Sequence, residues 1–233
     1  MNQKRIVIYY LSLSSIFFLL LILLNFLPSS SNIAKEIDRI IITFIFIIIC
    51  IFGFSLSIYP RWYNKIIKNN NKSFTKNKVD NKKRNREGHH PNCVQFENHV
   101  IKIKHRNYCT GCLGLGIGSL ISIFLIFNYL IFINSQSLFL FKYTFFLGLI
   151  IIYLSFFESI LYNKFSIIHI FSNNLLIIGF LLIIISTLEN SGDLIYGIIS
   201  IFASFLFLET RIQVSLLNHI NICFKCKDKC KMY

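Results

Sequence analysis

Cys109 and Cys112 stand with two residues between them, a spacing that directs both sulfurs to one tetrahedral ion, and Gly111 lets the turn between them tighten. Upstream, His90 and Cys93 form a second pair, His-x-x-Cys, with 15 residues between Cys93 and Cys109. The four make a Cys3His set with the loop length of ordinary zinc sites. His89 and His99 are substitute ligands that spacing does not rank. His105 fits less well, because its strand face carries non-ligand residues. A closed set of four protein ligands leaves no position for water, so the expected role of the metal is structural.

A second group closes the chain. His219, Cys223, Cys226 and Cys230 follow the pattern H-x3-C-x2-C-x3-C, and four lysines nearby favour the thiolate forms. One reading is a separate zinc site. Another is a site shared between this tail and the earlier loop. The C-x2-C-x3-C part also overlaps an iron–sulfur cluster run, but it lacks that run's first cysteine and following proline. Thiol–disulfide chemistry at Cys109 and Cys112 is a rival to metal, since a following helix N-terminus stabilises a thiolate. No thioredoxin-like βαβ pattern surrounds the pair, and His90 and Cys93 are unexplained by it.

The elements that must position these residues are membrane spans. Of the 233 residues, 55% are hydrophobic, and the mean hydropathy is +0.61. Six apolar runs match the roughly 20 helical residues that cross a core of about 30 Å. They lie near Ile6–Leu27, Ile40–Tyr59, Leu113–Ile133, Leu138–Phe157, Phe165–Thr187 and Leu194–Leu208. None alternates with period two, which excludes barrel strands. The first run follows Lys4 and Arg5, yet it exceeds a signal-peptide core of about 7–15 residues and reads as a retained helix.

Charge orients the spans. The segment Pro60–Cys112 holds 13 of the 24 Lys and Arg residues, and the tail from Arg211 holds five more. Basic residues stay in the cytoplasm during insertion, so an inner-membrane protein with both termini and the long loop inside is expected. Within the loop, Lys65–Glu87 is polar, basic and of low complexity, a linker that attracts anionic headgroups. It carries no aromatic interleaving or module of a nucleic-acid binder, and no nucleic-acid partner is expected.

Gly88–Cys112 is different. "HVIKIKH" (His99–His105) alternates as a strand of about seven residues between the two ligand-bearing turns. A 25-residue module is too small for a stable core of its own. The inferred side is reducing, which disfavours a disulfide, while a structural zinc contributes about 10 kcal/mol or more. After the pair comes "LGLGIGSL", in which Gly114 and Gly118 form GxxxG. With no complete phosphate-loop pattern, close helix packing explains these glycines better.

The stretch "HHPNC…F…H…R-YCTGCLGLGIG" resembles a signature of uncharacterised small polytopic membrane proteins, mostly prokaryotic. In these a His/Cys turn precedes Cys-x-x-Cys-x-Gly, which leads into a glycine-bearing transmembrane helix. The resemblance rests on Cys93, Cys109, Cys112 and Gly114 and covers Gly88 to about Leu120. It implies a domain of unknown function and no established activity. The tail cysteines fall outside the pattern.

Polar residues inside the spans concentrate in the fifth. His169 and Asn173 are four apart and share a helix face, while Glu158 ends the fourth span and Glu209 the sixth. Intramembrane ionisable groups are functional candidates; interhelical hydrogen bonding and interfacial solvation are the plainer account. Glu189 and Asp193 read as solvated loop charges, and Cys50 as a small buried hydrophobe.

The expected protein is therefore an all-α membrane protein of six helices with a small cytoplasmic Cys/His knuckle. Residues 1–59 carry two helices, 60–87 the linker, 88–112 the knuckle, 113–210 four helices and 211–233 a basic cysteine-containing tail. Three function classes follow: an interaction or assembly protein with zinc as a staple and an unidentified protein partner or a second copy; a transporter or metal-handling protein using Glu158, His169 and Asn173; and a membrane enzyme or redox protein using the thiols.

Overall fold

A computed structural model describes residues 3–26, 34–58, 99–103, 106–132, 138–160 and 165–225. Its elements are α1 (Gln3–Phe26), α2 (Glu36–Ile58), the strands β1 (Val100–Ile103) and β2 (Arg106–Cys109), then α3 (Thr110–Phe132), α4 (Leu138–Ile160), α5 (Ser166–Ser191) and α6 (Leu194–Lys225). All six helices are long and apolar enough to cross a membrane. With no water in a bilayer core, backbone groups must be satisfied within each segment, which a helix achieves. Hydroxyls follow the same logic: Ser15, Ser119 and Ser186 each donate to the carbonyl four residues earlier.

The helices form a bundle around α5. It packs along α4 on one side and α3 on another, α2 lies against α3, and α1 runs beside α6. Leu21, Ile42, Ile126, Phe145, Leu176 and Leu188 are almost wholly buried in the centre. Outside, Phe124, Ile131, Tyr153, Ile167 and Phe202 are more than half exposed. Such a surface is untenable in water but is the solvated face in lipid.

Two devices set the geometry of α5. At Gly114 of α3 an added Cβ would collide with the Ile170 carbonyl, and at Gly118 it would stand 2.8 Å from the Asn174 carbonyl. The GxxxG pair thus seats α3 against the α5 backbone, as close helix packing requires. At the other end Gly192 adopts φ 69°, and its N–H donates to Leu188 O at 2.9 Å. This left-handed cap stops α5, and Asp193 Oδ1 then accepts from the Ile195 N–H at 3.1 Å to start α6.

Two boundaries differ from expectation. Of the strand expected at His99–His105, β1 covers Val100–Ile103, and it pairs antiparallel with a second strand, β2, with Val100 opposite Cys109 and Ile103 opposite Arg106. A lone strand leaves its backbone groups unpaired, and the return strand supplies their partners. The sixth helix does not stop at Leu208 but continues to Lys225. The Arg211 charge does not break it, because Arg211 is buried and paired.

Candidate metal and thiol site

The hairpin delivers Cys109 to the start of α3. Thr110, fully buried, donates its hydroxyl to the His99 carbonyl at 3.2 Å, which ties the strand entrance to the helix start. Cys109 is buried at the end of β2, and Cys112 is half-buried in the first turn of α3. Gly111 lies between them and borders a small space. A Cβ there would stand 3.6 Å from His169 Nε2, 3.7 Å from Cys109 Sγ and 3.8 Å from Asn173 Nδ2. A thiol, an imidazole and an amide thus face one glycine, and a side chain at that position would fill the space among them.

His169 is oriented from behind. Its Nδ1 lies 3.0 Å from Glu158 Oε1, which leaves Nε2 turned towards the thiol side. The other oxygen of Glu158 accepts from Arg211 Nη2 at 3.2 Å. Arg211 also donates to Ser172 Oγ at 3.2 Å and to Asn173 Oδ1. Glu158, Asn173 and Arg211 are all buried. The plainer account of Glu158 as an interfacial, solvated carboxylate is therefore corrected: an ionised group at this depth needs compensation, and Arg211 and His169 provide it.

Two further imidazoles complete the cluster. The His99 ring is buried, 5.5 Å from the His169 ring and 5.7 Å from the His219 ring, edge-on to both. Hence His99 just before β1, Cys109 at the end of β2, and α3, α4, α5 and α6 each bring a thiol, imidazole, carboxylate or guanidinium to one end of the bundle. Among the described residues, no three His, Cys, Asp or Glu side chains are arranged to hold one metal ion.

The structure joins His99, Cys109, Cys112, His169, Asn173 and Glu158, and brings His219 to them. Cys223 falls within α6. His89, His90, Cys93, Cys226 and Cys230 lie outside the described residues. Arg211 was missed, although a charge interrupting an apolar run is itself a signal that a buried partner must exist.

The opposite end of the bundle holds a second polar cluster. Arg39 grips Glu189 with two hydrogen bonds, Nε to Oε1 at 2.7 Å and Nη2 to Oε2 at 2.9 Å, and the Tyr129 hydroxyl donates to Glu189 Oε1. Asn190 Nδ2 donates to Asn25 Oδ1 at 2.6 Å beside it. Glu189 is only 2% exposed, so its reading as a solvated loop charge is corrected: the carboxylate closes a contact between α2, α3 and α5.

This is a multi-pass α-helical membrane protein with a buried cluster of titratable groups at each end of its bundle. Comparison with protein-family models, with curated proteins and with solved structures finds no match.

Proposed function

We propose that the chain is an inner-membrane protein whose cytoplasmic Cys/His module binds zinc and is thereby fastened to the end of the helical bundle, where it serves as an interaction or assembly surface. Cys109 and Cys112 are the core ligands. His90 and Cys93 complete the set, with His89 or His99 as alternates, and His169 joins these candidates. The observation that carries the reading is the arrangement around Gly111: a cysteine sulfur and an imidazole nitrogen both border that glycine, and the other ring nitrogen is held by Glu158. Carboxylate–imidazole pairing is how proteins orient a metal-binding histidine. Further support comes from sequence, where CxxC with an upstream HxxC has zinc-site spacing. The tail group of His219, Cys223, Cys226 and Cys230 is a second zinc site, or a less favoured iron–sulfur site. Orientation follows the basic residues, and the linker's charge brings the module to anionic headgroups.

Elemental analysis of the detergent-purified protein tests the reading. About one or two zinc ions per chain are expected, as closed four-ligand sites require, with one lost in Cys109→Ser/Cys112→Ser. Iron with a visible absorption band would move the assignment to electron transfer. Absence of metal, with both thiols alkylating readily, would overturn it.

The same geometry favours one second reading. Cys109 and His169 border the same glycine and Glu158 holds His169 from behind, so an activated thiol would take Cys109 as nucleophile, His169 as base and Glu158 as orienting group. In that case His169→Ala slows alkylation of Cys109 by iodoacetamide at neutral pH. Under the zinc reading, chelation speeds it instead.

A further inference from the structure

An elongated cavity of about 240 Å³ runs inside the bundle between α2, α3, α5 and α6. On α2 its lining extends from Phe46 to Ser57 and on α6 from Ile201 to Ile212. At about 1.5 Å of rise per residue, each stretch is about 16 Å long, half of a hydrocarbon core of about 30 Å. The cavity is thus one leaflet deep, and Cys112 and Ser57 mark its thiol end. It is larger than the apolar cavity of about 150 Å³ that takes up benzene.

Its walls offer nothing to water. The hydroxyls of Ser57, Ser119 and Ser204 are each spent on a carbonyl of their own helix, Phe54, Leu115 and Ser200 respectively. The rest of the lining is chiefly Ile, Leu and Phe. Buried water requires two to four polar partners, so this space is filled by hydrocarbon or forfeits the dispersion contacts of its walls. Phe205 and Ile212 both line the cavity and are each 48% exposed. They place its mouth on the lipid-facing side of α6, opposite α2, a helix that meets α6 only sparsely.

We infer that the cavity is a binding slot for one acyl chain of a phospholipid drawn from the leaflet at the thiol end. The chain enters between α2 and α6 and lies parallel to the helices. This goes beyond the zinc reading and does not depend on it.

The test uses the full-length protein in phosphatidylethanolamine vesicles doped with phosphatidylglycerol that bears a diazirine on one acyl chain. Photolabelled residues are then mapped by mass spectrometry. Label is expected on Leu56, Leu208 and Ile212, as well as on outward residues such as Phe124 and Ile131. Gly53→Leu narrows the slot, since a Cβ there meets only Ser119 Oγ at 3.6 Å. It should cut the slot label about tenfold, the effect of one unfavourable contact of about 1.4 kcal/mol, and leave the Phe124 label unchanged. Ser204→Phe is the second variant, and a preserved melting transition shows that each is folded. Label confined to outward residues overturns the proposal. So does slot label that neither variant reduces, or a slot labelled by a diazirine-bearing isoprenoid quinone and not by the phospholipid.

Discussion

Glu158 and Glu189 are each buried against an arginine, one at each end of the bundle, and the two pairs differ in what surrounds them. Arg39 meets Glu189 squarely with both donors of its fork, an arrangement that suits a lock. Arg211 divides its donors among Glu158, Asn173 and Ser172, and Glu158 in turn holds His169. That shared network is built to position an imidazole. Removing Arg211 alone leaves the buried carboxylate with His169 but without its guanidinium partner, at a cost of up to about 3–5 kcal/mol. Arg211→Ala should therefore lower the melting temperature in detergent sharply. Arg211→Ala/Glu158→Ala should lose less than the two single variants summed, because the partners are coupled. These pairs were not legible in sequence. Arg39 and Glu189 are 150 residues apart, and no periodicity links residues on different helices. What sequence does offer is the anomaly of a charge inside an apolar run.

Among the elements, α3 connects the site to the bundle. Its first turn carries Cys112 and follows directly on Cys109, and its glycines bring it onto α5, so the distance from Cys109 to His169 depends on how closely two backbones approach. Gly114→Leu would push α3 off the Ile170 carbonyl. The expected result is loss of the Cys109–His169 approach, read as faster alkylation of both cysteines in a chain that still inserts into the membrane. The CxxC turn, the GxxxG face and the helices were all readable, since each is a local pattern. The end of α6 was not. Past Leu208 the helix becomes amphipathic, with Val214 buried and Ile212 exposed, and hydropathy alone stops where charge first appears. Only the tertiary partner of Arg211 explains why the helix continues, and it is this continuation that carries His219 to His99.

At the scale of the whole molecule, six up-and-down helices collect the polar chemistry of the chain at two levels and leave an apolar belt between them. The proposed orientation, argued from the distribution of Lys and Arg, puts the thiol end in the cytoplasm. A phosphatase reporter fused after residue 193 should be active, and one fused after residue 225 inactive; the reverse pattern would invert the assignment. Span number was plain from runs of about 20 apolar residues, whereas the slot was invisible, because it is a gap between helices and not a property of any one. The Arg39–Glu189 pair has a consequence for how the protein is made. Arg39 emerges from the ribosome 150 residues ahead of Glu189, a delay of roughly 8–30 s at synthesis rates of about 5–20 residues per second. Throughout that interval Arg39 lacks the carboxylate that grips it in the finished fold, and only the arrival of α5 supplies it. A chain arrested before α5 therefore carries an exposed mark of incompleteness, and the finished chain does not.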